Sequence, residues 1–362
     1  SQRYDEAYPM LFSIITKNIT RFVREAGYYC INIAINHFQD DEKIITICNL
    51  LLEHNLEELH AGNNGHVPVS QLALALGRQG EIENATTLLQ KHRDLFANIS
   101  EYHLVNSQIC SYARDDNGHF DSVSKVFEKQ NKGRECFESV NPRKRIDVGS
   151  LRSIADQSTD GPLVSIIMTV YMENELLDAA INSVLKQTYR NIELIIVDDC
   201  SPDNVMHYLR EKQSFDNRIH VVSMGKNGGT YLAKNRGMTL AKGEFVAFHD
   251  SDDWLHPCKL EDSINTLQND EQIVAVFSSY FRADENGNIL FRGIGAIRPA
   301  CISLVMRREQ VLSTLGYFDN VRVAADSEYE YRLLAVFGKE RVMYLQEPYL
   351  IASIRSDSLS QG

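Results

Sequence analysis

The sequence predicts an α/β protein: a mostly parallel central sheet preceded by an all-α domain of helical hairpins. Three observations predict it. Apolar residues recur at helical spacing over the first 130 or so residues. From Leu163 onward, buried-type strands alternate with helices. Polar and acidic clusters then fall at the ends of the predicted strands. In a sheet of this kind, ligands collect beyond the carboxyl ends of the strands.

In the first half, Leu11, Ile14, Ile15, Ile19 and Phe22 mark one helix. Ile31 to Phe38 and Ile44 to Leu52 predict a helical hairpin turning at Gln39-Asp40-Asp41. Leu72 to Leu76 and then Ile82, Ala85, Leu88 and Leu89 predict a second, with Gly80 in the turn and the small residues Gly77 and Ala85 allowing close helix approach. That second hairpin resembles one tetratricopeptide-like unit, and the spacing of the two pairs suggests a degenerate helical repeat as readily as an ordinary bundle. Residues 131–160 are polar and read as a connecting segment, in which Arg143, Lys144 and Arg145 form a basic cluster suited to anionic lipid or acceptor phosphates.

In the second half, Leu163 to Val170, Ile192 to Val197, Ile219 to Val222 and Glu244 to His249 are the predicted strands. Leu176 to Gln187, Val205 to Lys212 and Thr230 to Ala241 are the helices between them. The expected domains are therefore 1–130 helical, 131–160 connecting and 161–362 α/β.

Composition narrows the function. A chain of 362 residues is long for one core and comfortable for two. Its net charge of -12 argues against a general nucleic-acid binder, which needs a basic face. Seven scattered cysteines without a C-x-x-C pair indicate neither a zinc site nor a disulfide framework, and favour a reducing cytoplasm. The apolar runs are too short to span a bilayer, and the polar amino terminus, with Asp5 and Glu6, does not read as a signal peptide. The abrupt ends at Ser1 and Gly362 fit a piece of something longer.

The acidic cluster Asp250-Ser251-Asp252-Asp253 carries the chemistry. Three carboxylates within four positions repel one another, and a divalent cation with oxygen preference, Mn²⁺ or Mg²⁺, removes that repulsion. Such an ion keeps open positions for substrate phosphates. Asp198-Asp199 and Thr169-Val170-Tyr171 end two other strands, and Asn227-Gly228-Gly229-Thr230 opens a helix bearing Lys234 and Arg236. A helix amino terminus with glycines suits an anion. Neither a P-loop nor a dinucleotide-binding G-x-G-x-x-G is present.

These motifs, in this order, resemble family 2 glycosyltransferases of the GT-A fold. The resemblance rests on Val164-Ser165-Ile166-Ile167-x-Thr169-x-Tyr171, Ser183-Val184-Leu185-x-Gln187-Thr188-Tyr189 and Glu193 to Ser201. It continues through Asn227-x-Gly229-Thr230-x-x-Ala233-Lys234-Asn235-x-Gly237, the acidic cluster, Leu315-Gly316-x-Phe318-Asp319 and Ala325-Asp326-Ser327-Glu328-Tyr329-Glu330-x-Arg332. It covers about 163–358 and leaves the helical half aside.

The resemblance implies inverting, metal-dependent transfer of a sugar from a UDP-sugar to a glycan, lipid-linked or other glycoconjugate acceptor, in bacterial surface-polysaccharide synthesis. It implies roles residue by residue. Asp199 accepts from the uracil, with Asp198 beside it, and Thr169, Val170 and Tyr171 line the base pocket. Asp250 holds the ribose or stands behind the direct contacts, and Ser251, Asn227, Gly229 and Lys234 lie on the donor-nucleotide side. Asp252 and Asp253 hold Mn²⁺ or Mg²⁺. Asp326 is the general base, and Glu328 and Arg332 face the acceptor. Plainer roles stand beside these: Asp198 orienting a strand end, Tyr171 packing, Asp326 capping its helix. Two departures stand out. Lys234 replaces the arginine of many relatives, and the terminal Ile354-Arg355-Ser356-Asp357 lacks the histidine that some use as a metal ligand, leaving Ser356 or Asp357 in its place.

The competing reading is a catalytically silent scaffold whose helical half binds a partner. Retention of Asp199, Asp250, Asp252 and Asp326 argues against it. The helical half is expected to bind a partner or self-associate, and its removal to spare donor hydrolysis. A cytoplasmic protein, peripheral at the inner face of the membrane, is the expected setting.

Overall fold

The computed structural model describes residues 2–17, 23–54, 59, 64–140, 145–156, 159–172, 174–202, 204–291 and 295–354. The basic residues Arg143 and Lys144 and the terminal segment from Arg355 lie outside the described residues. The chain folds into two compact units. One comprises 1–127, 142–146 and 286–297; the other comprises 128–141, 147–285 and 298–362.

The first unit is helical. Its helices are α1 (Gln2–Thr16), α2 (Val23–Ile33, continued by a π turn Ala34–Phe38), α3 (Asp41–His54), α4 (Val67–Arg78), α5 (Ile82–Lys91), α6 (Ile99–Tyr112) and α7 (Asp116–Val126). The two anticipated turns are where left-handed backbone is needed: Gln39 has φ 51° and Gly80 φ 85°. Ile31, Ile44, Ile47, Leu51, Leu72 and Leu89 form the centre of its core. Gly77 has a different neighbour from the one its spacing suggested. A Cβ there would lie 2.6 Å from the ring of Tyr112, so the glycine admits an aromatic side chain from α6. Residues 286–297 join this unit by hydrogen bonds. Buried Glu101 on α6 accepts from Ala296 N (2.7 Å) and Ile297 N (3.1 Å), and Gln108 Oε1 accepts from Ile289 N (2.7 Å).

In the second unit, the segment read as a connector forms the short helix α8 (Glu128–Asn131) and an antiparallel pair, β1 (Phe137–Ser139) with β2 (Leu151–Ser153). The main sheet has eight strands. They are β3 (Val164–Val170), β4 (Ile192–Asp198), β5 (Ile219–Ser223), β6 (Phe245–Asp250), β7 (Trp254–Leu255), β8 (Ala275–Asp284), β9 (Arg298–Arg307) and β10 (Val342–Ile354), in the order β5-β4-β3-β6-β9-β8-β10-β7. The helices are α9 (Leu177–Leu185), α10 (Val205–Phe215), α11 (Thr230–Leu240), α12 (Lys259–Asn269), α13 (Arg308–Leu315) and α14 (Ala325–Phe337).

The sheet is mixed. β5, β4, β3 and β6 are parallel, while β9 runs antiparallel to β6 and to β8, and β7 runs antiparallel to β10. The β3 and β4 strands are apolar on both faces because both faces are covered. Ile166, Met168, Leu194 and Ile196 pack in one cluster with α9, α10 and α12; Ile167, Ile195 and Val197 pack in another with α11 and α14. Burying each such side chain contributes about 1.5–3 kcal/mol.

One core position is a lysine. Lys259, at the start of α12, is buried, and its Nζ donates to Ser263 Oγ at 2.9 Å. Burial pushes its pKa down to about 7 from 10.5, against a smaller upward pull from Asp262. Between those values the unfolded chain carries a proton that the native chain lacks. Stability therefore rises with pH from 7, at up to about 1.4 kcal/mol per unit. Above pH 9 two buried thiols begin to oppose the rise: Cys48, raised by burial, and Cys258, raised by its contact with Cys136 and then by burial. Urea unfolding at pH 7, 8 and 9 should show a shallower slope for Lys259→Met than for the parent; parallel slopes would remove Lys259 as the cause.

Candidate functional site

The register of the parallel strands brings the expected clusters to one edge. Val170 pairs with Asp198 across β3 and β4, and Thr169 pairs with Asp250 across β3 and β6. The carboxyl ends of three strands therefore lie side by side, as doubly covered parallel strands require of a ligand site.

The two aspartates ending β4 have separate tasks. Asp198 is buried, and its carboxylate accepts from Ser201 N (3.1 Å), Ser201 Oγ and Ser223 Oγ (3.3 Å). It braces the loop after the strand. Asp199 reaches across to the glycine loop before α11: its Oδ1 accepts from Gly228 N (2.8 Å) and its Oδ2 from Gly229 N (2.7 Å). Asn227 Nδ2 donates back to the Asp199 carbonyl at 3.3 Å. Gly229, at φ 89° and ψ 161°, occupies backbone space open essentially to glycine alone. Val170 is buried beneath the loop, whereas Tyr171 is half exposed at the mouth of the site.

α11 ties these ends together. Thr230 Oγ1 lies 2.8 Å from Thr169 Oγ1. Lys234 is buried and its Nζ donates to Asp250 Oδ1 at 3.0 Å. Burial opposes the Asp250 charge, but the Lys234 ammonium outweighs it and holds the carboxyl below its ordinary range. Arg236 points to solvent. Tyr231, on the same helix, donates its hydroxyl to Asp326 Oδ1 at 3.0 Å. Burial, and then the Asp326 charge, raise the Tyr231 pKa, so the phenol keeps its proton.

Asp326 stands in the first turn of α14, just after Ala324 at φ 64°. Ser327 N also donates to its Oδ1, at 2.9 Å, so among the described residues both of these bonds land on one oxygen. Beneath it, Phe318 packs against Tyr231, Phe248 and Tyr329 with ring centroids 4.6–5.6 Å apart. Asn235 clasps the Phe318 backbone through both ends of its amide (2.8 and 3.0 Å). Glu328 and Arg332 do not converge on this point. They pair bidentately (2.9 and 2.6 Å), and Arg332 also donates to the carbonyls of Leu315 and Tyr317.

Within the acidic cluster the three carboxylates diverge. Asp250 faces Lys234. Asp253 turns inward: it is buried, and its Oδ1 accepts from Ser353 N on β10 at 3.0 Å. Burial, together with the nearby Asp252 and Asp250 charges, drives its pKa well above the usual carboxylate range. Asp252 and Ser251 are partly exposed on the turn between β6 and β7. His249 is buried, pushed down to about 4 by burial and held by Asp253 O at 3.1 Å, so it is a neutral packing residue. Two residues that the sequence reading passed over belong here. Tyr231 had no motif to mark it, and Arg282 on β8 lends positive charge to both Asp250 and Asp253.

The family model described as "Glycosyl transferase family 2" matches residues 165–311. Residues 165–311 are a family 2 glycosyltransferase domain. Its mixed sheet is of the GT-A type, and it follows an all-helical region. Among curated relatives, the chain is 32% identical over 161 residues to the Bacillus subtilis protein named "Putative teichuronic acid biosynthesis glycosyltransferase TuaG", covering 41% of this chain and 64% of that one. It is 32% identical over 150 residues to "Glycosyltransferase GlyG" of Streptococcus pneumoniae, covering 41% and 50%. The chain thus spans less than two thirds of either relative. Among solved structures, S. aureus TarS 1-349 in complex with UDP-GlcNAc superposes with a TM-score of 0.44 at 22% identity, over 55% of this chain and 60% of that one. No helix among the described residues is long and apolar enough to cross a membrane.

Proposed function

We propose that the family 2 glycosyltransferase domain moves a sugar from a UDP-sugar to a hydroxyl of a cell-surface glycan or glycoconjugate, with inversion at the anomeric carbon. One observation carries this reading. A single helix, α11, is bonded at its N-cap Gly229 to Asp199, at Lys234 to Asp250 of the acidic cluster, and at Tyr231 to Asp326.

In this mechanism the base of the donor sits at the ends of β3 and β4, beside Thr169 and Tyr171, over the loop that Asp199 holds. Asp199 carries four acceptor sites on two oxygens, so a uracil N–H can share it with the two glycine amides. Asp326 receives the proton of the acceptor hydroxyl on Oδ2 as that oxygen attacks the anomeric carbon; Tyr231 and Ser327 N keep the carboxylate aimed. One displacement without a covalent intermediate inverts the centre. Lys234 stays with Asp250 and sets a fixed positive charge behind the acidic turn.

Among the described residues no group of three or more His, Cys, Asp and Glu side chains forms a metal cage. The residues nevertheless fit an ion of the Mn²⁺ or Mg²⁺ type, which needs only one or two carboxylates plus substrate phosphates. Asp252 is the protein ligand in this reading, because it stands partly exposed on the turn that ends β6, at the edge where the strand ends converge. When bound, such an ion offsets the charge building on the leaving UDP. The similarity to a protein named for teichuronic acid biosynthesis supports a surface glycan as acceptor.

The test is UDP release from a panel of UDP-sugars with Mn²⁺, with Mg²⁺ and with chelator. One or more donors should be turned over in metal and not in chelator, and Asp252→Ala should lose that activity. Full activity in Asp252→Ala would end its role as ligand, and silence with every donor would favour the scaffold reading.

A further inference from the structure

Apart from the proposed transfer site, the second unit holds two thiols in contact. Cys136 Sγ and Cys258 Sγ lie 3.8 Å apart, although 122 residues separate them in the chain. Both are buried. Elsewhere, Cys301 donates to Glu330 Oε2, Cys110 lies by Asn106, and Cys200 is exposed.

We propose that Cys136 and Cys258 are a peroxide-oxidisable dithiol, closing to a disulfide that staples the strand β1 to the first turn of α12. The surroundings suit both halves of the reaction. Arg134 Nη2 lies 3.1 Å from Cys258 Sγ and 3.0 Å from Glu261 Oε2, so a guanidinium covers the sulfur pair. Its side chain is 34% exposed. The hydrogen bond from Cys258 and the Arg134 charge both favour thiolate at Cys136, against burial. Cys258 keeps its proton, since the contact with Cys136 and burial raise it.

The site is not a metal centre in disguise. Neighbouring His256 has both ring nitrogens engaged, with Asn131 Oδ1 (2.9 Å) and Cys258 N (3.2 Å). The backbone on either side is anchored. Cys136 O accepts from Ile154 N and Ala155 N, and Phe137 packs edge-on to Trp254 and His256. Closing the disulfide requires the sulfurs to move from 3.8 Å to a bond of about 2.05 Å.

The steps balance with hydrogen peroxide as oxidant. The Cys136 thiolate attacks one peroxide oxygen; an S–O bond forms, the O–O bond breaks, and hydroxide leaves and takes a proton to become water. Cys258 sulfur then attacks the sulfenic sulfur; the S–S bond forms, the S–O bond breaks, and the departing hydroxide takes the Cys258 proton as a second water. Two thiols are oxidised and one peroxide is reduced to two waters.

The experiment uses the full chain treated with hydrogen peroxide, then alkylated and digested without reductant. The expected product is a peptide pair linked through Cys136 and Cys258, with the protein two hydrogens lighter. Its melting temperature should rise, and dithiothreitol should reverse both changes. Cys136→Ser and Cys258→Ser should each abolish the link, while Cys200→Ser should not. Sulfinic acid at Cys136 with Cys258 still alkylated would overturn the proposal, as would a crosslink that forms through any other cysteine. Because mass and melting are read without any sugar donor, failure here leaves the transferase reading standing, and the reverse holds too.

Discussion

Asp326→Asn is expected to lower the turnover of sugar transfer by about 10²- to 10⁴-fold, the usual worth of a positioned base. Nucleotide binding should change little, because the proposed mechanism places the nucleotide on Asp199, Thr169 and α11. The amide keeps the shape and still accepts from Tyr231 and Ser327 N, so folding is spared. What it loses is the ability to take a proton on the second oxygen. Tyr231→Phe removes one hydrogen bond to the same carboxylate, 3.0 Å long. It should cost roughly 3- to 10-fold in turnover, in line with about 0.5–1.5 kcal/mol for such a bond. The measurement is acceptor-dependent UDP release beside calorimetric UDP binding for all three proteins. Transfer at the parent rate in Asp326→Asn would remove Asp326 from the chemistry.

Glu101→Ala is expected to destabilise the helical unit by about 2–4 kcal/mol, because it leaves two backbone donors in the interior without their charged acceptor. Those donors, Ala296 N and Ile297 N, sit at the end of the segment that leads into β9. Glu101→Gln should cost less, since one oxygen still accepts. Gly295 has no room for a side chain there, as a Cβ would lie 2.8 Å from Glu101 Oε1, so Gly295→Ala should share the phenotype. Urea unfolding and hydrogen exchange at Ala296 and Ile297 would read this directly; unchanged stability and protection in Glu101→Ala would refute it. The same bonds alter the outlook for truncation. The sequence reading expects removal of 1–130 to spare donor hydrolysis. Residues 286–297, however, link β8 to β9 and belong to the helical unit, so that truncation strips Glu101 and Gln108 from the segment. A truncated chain is therefore expected to unfold around β8 and β9 at lower urea than the whole.

The strands β3, β4, β5 and β6 and the helices between them were legible because two-face burial leaves continuous apolar runs, broken by polar ends. The order of the remaining strands was not. Nothing in Ala275–Asp284 or Arg298–Arg307 says that β9 lies between β6 and β8, since those pairings are decided across the chain rather than along it. At the site, a cluster of carboxylates at a strand end can be seen in the sequence, but the direction each one faces cannot. Asp253 follows the alternation of the short strand it leads into, and so points at Ser353 rather than out with Asp252. Asp199 reads as an acceptor for a ligand, yet its first partners are glycine amides that carry no side chain to signal the bond. Tyr231 fell on an unmarked motif position, and Lys259 looked like an ordinary surface lysine at a helix start. Its burial comes from packing against elements distant in sequence.

Because the Asp199 carboxylate already fixes Gly228 and Gly229, the loop takes its shape when the chain folds and not when a donor arrives. Ordering a residue costs about 1–2 kcal/mol of conformational entropy, and here that cost falls on folding, so binding is relieved of it. In the proposed mechanism a nucleotide then meets a finished surface, and its capture depends on collision and charge rather than on waiting for a loop.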